Sequence, residues 1–359
     1  MKKIQNILRR ASADIHSGNL ENAAKLLDAL KEEHPLSPEV ARLWCLLARR
    51  TGRAAAVPAY AAKIYAHVEG DVHKARWAQI MGTANFSSLN LEASHANFTC
   101  ALEHLIALIK AGKVPTKKKK SATTDNVFSS GMAEQLLWST CAALSSRGIQ
   151  AFPYAGTLLG IVRTGALLPF DKDLDIAVWI ESLDTCCAEL EKNGWVRVKA
   201  GIDYSNYRDY RHTETGITLD VCALEHQDDQ RIVGGFSLPD YPEAYQRVAV
   251  FPTFELIQRD TAFGKVWFPQ RPAIILKAFY GDWRTPNLHW DTVISALNLE
   301  KFTLLVRCYA YYRLVHRWLS GDLSRAWSYA LQIGIKDPED VLALRCRQFL
   351  EKTLLRLDQ

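Results

Sequence analysis

Four aspartates carry the densest chemical signal in the chain. Asp171, Asp173 and Asp175 occupy alternate positions in Leu168-Pro169-Phe170-Asp171-Lys172-Asp173-Leu174-Asp175-Ile176-Ala177-Val178-Trp179, and Asp220 lies in Ile217-Thr218-Leu219-Asp220-Val221. Side chains on a strand alternate between faces, so Asp173 and Asp175 point one way while Leu174, Ile176 and Val178 point into a core. Two carboxylates on one spot repel each other unless a cation joins them. Hard oxygen ligands of this kind suit Mg2+ or Mn2+, which also bridge to phosphate oxygens. With Asp220 on a neighbouring strand, the expected metal set is Asp173, Asp175 and Asp220. Asp171 is on the same face and is either a further ligand or a base. A solvated acidic turn is the plainer reading, but Ile176-Ala177-Val178 directly afterwards argues for the start of a buried strand.

Just upstream runs Tyr154-Ala155-Gly156-Thr157-Leu158-Leu159-Gly160-Ile161-Val162-Arg163. Gly156-Thr157 reads as a small-residue turn between a strand, Ile149 to Tyr154, and a helix from Leu158 to Arg163. Free backbone N–H groups and the positive helix end favour an anion there, so Gly156 and Thr157 are expected to place a phosphate. A turn glycine and a helix-capping threonine are the plainer roles, and both are compatible with that one. Arg163 and Lys172 can reach a diphosphate, although cations beside acids are often surface ion pairs. Trp267, Trp283 and Tyr280 could stack on a base or sugar, but aromatics in apolar stretches more often fill a core. The ten histidines show no HExxH spacing and the eight cysteines no CxxC, so reduced, mostly buried thiols are expected.

Taken together, these segments resemble the LicD and fukutin proteins, a branch of the nucleotidyltransferase-fold superfamily, over roughly Gly131 to His289. The resemblance rests on Gly156-Thr157-Leu158-Leu159-Gly160 with Arg163, on Pro169-Phe170-Asp171-Lys172-Asp173-Leu174-Asp175 and on Leu219-Asp220-Val221. It extends to Phe263-Gly264-Lys265-Val266-Trp267-Phe268-Pro269 and Phe279-Tyr280-Gly281-Asp282-Trp283-Arg284-Thr285-Pro286. It implies transfer of ribitol phosphate, glycerol phosphate or phosphocholine from a CDP-linked donor to a glycan acceptor; for the base, the residues themselves offer either Asp171 or Asp220. It also adds Lys265 and Arg284 as substrate-binding candidates. Many members have a glycine where Ala155 stands and an unbroken acidic run where Lys172 intervenes, which sets this chain closer to the fukutin side. Two rival readings use the same residues differently: transfer of NMP from an NTP, and an inactive scaffold acting through its helices.

The elements that must position these residues follow from pattern and length. At 359 residues, with 48% hydrophobic and 23% charged residues, the chain has room for two folded domains. Residues 1–112 repeat apolar positions at three- and four-residue spacing, as in Leu20, Ala23, Ala24, Leu27 and Leu30. Gly18 and Gly52 are 34 residues apart, the tetratricopeptide period, and Asn19-Leu20-Glu21 is echoed by Asn90-Leu91-Glu92. Such helices either bind a protein partner on a concave surface or simply cap the catalytic domain. Residues 113–127, with Lys117 to Lys120, read as a basic linker; 128–290 as an α+β catalytic domain of the nucleotidyltransferase fold; and 291–359 as a C-terminal helical extension.

The net charge of +5 owes much to the one lysine run, so no nucleic-acid footprint is indicated. No apolar run approaches a membrane span and no secretory leader follows Met1-Lys2-Lys3. The cytoplasm is therefore the expected location, with the lysine run as a weak reason to consider the inner membrane face.

Overall fold

The computed structural model describes residues 2–116, 130–169, 171–198, 201–228, 230–287 and 289–357. The lysine run, the rest of the linker from 117 and Phe170 lie outside the described residues. The chain divides into two compact units, one of residues 1–120 with 304–359 and one of residues 121–303. Among the described residues no helix is long and apolar enough to cross a membrane.

The helical unit begins with α1 (Lys2–Ser17), α2 (Leu20–Glu33), α3 (Pro38–Arg50), α4 (Val57–His67), α5 (Asp71–Ser87) and α6 (Leu91–Lys110). Consecutive helices pack as hairpins, α1 on α2 and α5 on α6. The short-range echo in the sequence corresponds to one geometry used twice. Asn19 and Asn90 are the N-caps of α2 and α6, and the residues before them, Gly18 and Leu89, both turn the chain at positive φ, 85° and 56°. Helix α6 buries Leu91, Phe98, Leu102 and Leu105 along one stripe, and each such side chain contributes ~1.5–3 kcal/mol by leaving water.

The second unit follows in mixed order: α7 (Ser130–Ser146), β1 (Phe152–Pro153), α8 (Ala155–Thr164), β2 (Asp173–Trp179), α9 (Leu183–Lys192), β3 (Trp195–Arg197), β4 (Tyr207–His212), β5 (Thr218–Asp228), β6 (Arg231–Phe236), β7 (Arg247–Pro252), β8 (Leu256–Thr261), β9 (Gly264–Pro269) and α10 (Pro272–Tyr280). One sheet runs β1-β2-β5-β4-β3, with β6 on β5 and β7 on β6, while β8 and β9 form a separate hairpin. Among the described residues only β2 and β5 pair in parallel; the other pairs are antiparallel.

Alternation along the central strands separates two cores. Leu174, Ile176, Val178, Leu219 and Val221 join α7 and α9 on one face. Ala177, Trp179 and Leu224 join α8 and α10 on the other. The expected strand Ile149 to Tyr154 is reduced to two residues, and α8 starts at Ala155 rather than Leu158. This is an α+β unit preceded by an all-helical one, as the residue pattern implied.

The C-terminal region differs from the sequence division. Residues 291–303 stay with the sheet, where Val250 N donates to Asn298 O at 2.9 Å and Thr303 Oγ1 to Gln246 O at 2.7 Å. Helices α11 (Leu304–Leu319), α12 (Leu323–Lys336) and α13 (Val341–Leu357) instead close the helical unit. Helix α11 packs on α5 and α6, with Phe86 edge-on to Tyr309 at 4.7 Å and His95 stacked on Tyr311 at 4.8 Å. Arg345 of α13 forks onto Glu103 of α6 at 2.7 and 2.9 Å. These helices bury an apolar stripe that α5 and α6 leave open, which is why they belong there.

Candidate active site

The β2–β5 register places Asp175 directly beside Asp220, and Asp173 beside Thr218. All of these project on the face of α8 and α10, because their neighbours Leu174 and Leu219 fill the opposite core. Asp171 precedes the strand, and a Cβ built on Gly156 would stand 3.2 Å from Asp175 Oδ2 and 3.7 Å from Asp171 Oδ1. Gly156 therefore leaves room for two carboxylates beside the start of α8. The four expected acids do converge.

Asp175 holds the helix end in place. Its Oδ2 accepts from the backbone N–H of Gly156 at 3.1 Å and of Thr157 at 3.3 Å, while its own N–H donates to Thr157 Oγ1 at 2.8 Å. Tyr154, the residue at the N-cap, supplies no side-chain cap, so a carboxylate from the adjacent strand satisfies the free amides. The amides expected to place a phosphate are thus engaged by an acid of the protein itself. Thr157 is fully buried and acts on Asp175. Thr157→Val leaves the Asp175 N–H without its acceptor, a loss of ~1–3 kcal/mol in stability, and Thr157→Ser restores it; thermal melts of the three proteins decide this.

Burial and mutual repulsion set the electrostatics. The Asp175 carboxyl is raised well above its ordinary range by burial, then by Asp220 and Asp173. Burial, then Asp173, raises Asp220 to about 8, and the same two causes raise Asp171 to about 6. Asp173 is raised by burial against the opposing pull of Lys172. The second oxygen of Asp171 is buried and, among the described residues, has no hydrogen-bond partner.

Among the described residues no group of three or more His, Cys, Asp or Glu side chains stands ready to grip a metal ion. The carboxylates are close enough to raise one another's pKa but do not form a closed coordination shell. Asp175 is turned to the amides of α8 instead.

Two residues that the sequence did not single out complete the cluster. Asp209 on β4 pairs in register with Asp220, and it helps to raise the Asp220 pKa. The Tyr207 hydroxyl donates to Asp209 Oδ1 at 2.5 Å and, by hydrogen bonding, partly offsets the rise at Asp220. The alternation Tyr207-Arg208-Asp209-Tyr210 was the available signal, but only the antiparallel register brings it to Asp220.

The expected cations are placed less uniformly. Arg163, in the last turn of α8, lowers the Asp171 pKa and donates from Nη1 to Trp283 O at 3.4 Å. Lys172 lies next to Asp173 in the chain and draws its pKa down. Lys265 is exposed on the β8–β9 hairpin across from Asp260, and Arg284 lies over the Trp283 ring at 4.3 Å; among the described residues no contact ties either to the acids. Of the aromatics, Trp283 is buried in the α8–α10 core and Trp267 packs against it. Tyr280 also packs there, and its pKa is raised by burial, then by Asp175 and Asp171, which puts its hydroxyl near both acids.

A mixed sheet with acids gathered from adjacent strands beside a helix N-terminus defines the nucleotidyltransferase class of transferase. Residues 148–270 match the LicD/FKTN/FKRP nucleotidyltransferase domain, which bears out the expected likeness to the LicD and fukutin proteins over that stretch. That stretch contains Gly156, Thr157, Arg163, the four expected acids, Asp209 and Lys265; Arg284 falls beyond it.

No curated protein matches the chain. Among solved structures, the lincomycin-bound lincosamide antibiotic adenylyltransferase LnuA is similar at 17% identity and a TM-score of 0.30, over 40% of this chain and 84% of that one. ANT(2")-Ia in complex with adenylyl-2"-tobramycin is similar at 16% identity and 0.28, over 60% and 96%. Likeness at that level carries no argument about substrate.

Proposed function

We propose that the catalytic unit transfers a phospho-alcohol, namely ribitol phosphate, glycerol phosphate or phosphocholine, from a CDP-activated donor to a sugar hydroxyl of a cell-surface glycan, in the cytoplasm. The supporting observation is the convergence of Asp171, Asp173, Asp175 and Asp220 on one face beside the start of α8, within the segment that matches the LicD family. The family match supports a transferase acting on glycans with an activated donor.

The donor set fits a hard cation. It is all carboxylate oxygen, its members repel one another, and one oxygen of Asp171 is buried without a partner among the described residues. Asp173, Asp175 and Asp220 would hold Mg2+ or Mn2+, which when bound neutralises charge on the diphosphate. The chain's own residues do the rest. Thr157 and the α8 amides orient Asp175. Tyr207 and Asp209 orient Asp220. Arg163 sets a positive charge beside Asp171.

In the transfer the acceptor hydroxyl oxygen bonds to phosphorus, the bond from phosphorus to the diphosphate bridging oxygen breaks, and CMP leaves with the electron pair. We assign the acceptor proton to Asp171, whose second oxygen has no hydrogen-bond partner among the described residues, rather than to Asp220, which Tyr207 and Asp209 engage.

The test is to incubate the purified protein with Mg2+, CDP-ribitol, CDP-glycerol, CDP-choline or NTPs, and candidate glycans, following CMP and pyrophosphate by mass spectrometry. CMP release that Asp175→Ala abolishes is the expected result and names the donor. Pyrophosphate release would replace this reading with nucleotidyl transfer. Absence of turnover together with absence of metal-dependent nucleotide binding would leave a scaffold.

A further inference from the structure

The helical unit contains a cleft of about 910 Å3 whose lining includes none of the four acids. Its size lies within the range of sites that enclose much of a ligand, ~300–1,000 Å3. Three helices line it, and each contributes a face at helical spacing: Arg42, Leu46 and Arg49 from α3, Arg76, Gln79, Ile80 and Thr83 from α5, and Tyr312 and His316 from α11.

The charges in this cleft are unbalanced. Among the described residues Arg42, Arg49 and Arg76 have neither an ion pair nor a side-chain hydrogen bond, whereas Arg317, also in the lining, is paired with Asp322 at 3.4 Å. Arg49 reaches solvent, yet the crowding around it is enough for burial to push its pKa down. A guanidinium remains charged at neutral pH all the same, so a bound anion would replace the water it has lost. Arginine forks match phosphate oxygens in a way that lysines do not.

The rest of the lining suits a saccharide better than a peptide. Gln79 and Thr83 offer amide and hydroxyl groups that can hydrogen-bond sugar hydroxyls. Tyr312 and His316 stack at 5.8 Å with planes 26° apart, giving a flat surface for the apolar face of a sugar ring.

We propose that this cleft binds a phosphate-bearing saccharide chain, the growing acceptor of the transferase, through Arg42, Arg49 and Arg76, with Tyr312 and His316 as its stacking face. The identity of the saccharide as acceptor rests on the proposed function; the phosphate site itself does not. A chain that already carries phospho-alcohol groups would thus be held by those groups, favouring addition to longer acceptors over short ones.

The experiment is calorimetric titration of the full-length protein, without donor, with three probes: a phosphodiester-linked hexose pentasaccharide, the same pentasaccharide lacking phosphate, and an Asp/Glu-rich peptide of equal charge. The phosphorylated saccharide is expected to bind at least about tenfold more tightly than either control. Arg49→Gln should weaken it by about tenfold, the value of one charged hydrogen-bonded contact, and the triple change at Arg42, Arg49 and Arg76 by about 100-fold. Arg42→Gln and Arg76→Gln, at exposed positions, provide variants whose folding is not in question. A control triple, Lys25→Gln, Lys63→Gln and Lys352→Gln, changes net charge equally outside the cleft and should leave binding within about twofold.

Equal binding by wild type and the triple arginine variant, equal loss in the lysine control, or preference for the peptide would each overturn the proposal. Because no turnover is needed, these results stand even if the protein releases no CMP. Conversely, CMP release with no arginine-dependent saccharide binding would retain the transferase and remove the cleft.

Discussion

Asp175→Asn and Asp220→Asn are each expected to lower kcat/KM for CMP release by at least ~10^3-fold, equivalent to ~4 kcal/mol of transition-state stabilisation. Both side chains sit on one face of adjacent parallel strands, and the amide keeps their shape while removing the charge. The side-chain amide introduced by Asp175→Asn would still offer one oxygen to the Gly156 and Thr157 amides that Asp175 now engages. The helix start therefore survives and the loss reports charge rather than folding. Asp209→Asn, which acts through Asp220 across β4 and β5, should cost only ~10-fold, the order expected of a group that positions another. Steady-state rates with melting curves on the same preparations check this. Activity within tenfold of wild type in either of the first two variants would remove these acids from the reaction.

The second large effect is a dependence of stability on pH in the metal-free protein. A carboxyl whose folded-state pKa lies above its unfolded value binds more protons when folded, so its contribution is intact below about pH 4 and fades as pH rises through the folded value. Here that means loss through about 6 for Asp171 and about 8 for Asp220. Both groups are raised chiefly by burial and by Asp173.

With EDTA present, the melting temperature is therefore expected to fall between about pH 4 and 8, by roughly 5–10 °C if the coupled acids together cost ~2–4 kcal/mol. Asp220→Asn should flatten that fall and raise the melting temperature at pH 8.5, since it removes a buried repulsion. Added Mg2+ or Mn2+ should stabilise wild type increasingly as pH rises, because protons and cation compete for the same oxygens. The same pH profile in wild type and Asp220→Asn would show that the acids do not repel one another in this way.

Asp220→Asn links the two effects, since inactivation and stabilisation come from one change. A site whose charges are unfavourable in the folded protein, but needed for turnover, trades stability for function.

Much of this site could be read from local pattern. Asp173 and Asp175 with Leu174, Ile176 and Val178 announce a half-buried strand because period-two alternation is a property of the extended chain itself. Gly156-Thr157 before an apolar run announces a helix start for a similarly local reason. The same holds for the N-terminal hairpins, where Gly18 and the Asn19 and Asn90 caps mark turns within a few residues of the helices they join.

What depended on pairing between distant segments was not legible. Asp209 needed the antiparallel register of β4 on β5 to come opposite Asp220; its own neighbourhood, Tyr207 to Tyr210, looks like any alternating strand. Thr157 and Asp175 are 18 residues apart, and nothing local says that a carboxylate rather than a phosphate would meet the α8 amides. Helices α11 to α13 read as an appendage of the catalytic segment because they follow it, yet α11 packs on α5 and α6 and α13 on α6.

The sequence by itself therefore determined the elements, the faces they bury and the acid pair on β2, since these follow from side-chain spacing within one turn or strand. Only the tertiary structure decided which strand lies beside which, that Asp209 and Tyr207 join the acids, and that the C-terminal helices complete the N-terminal unit. Closing a long loop costs little more than closing a short one, because the entropy grows only with the logarithm of length. Sequence distance is thus a weak guide to contact, and buried apolar surface settles the partners.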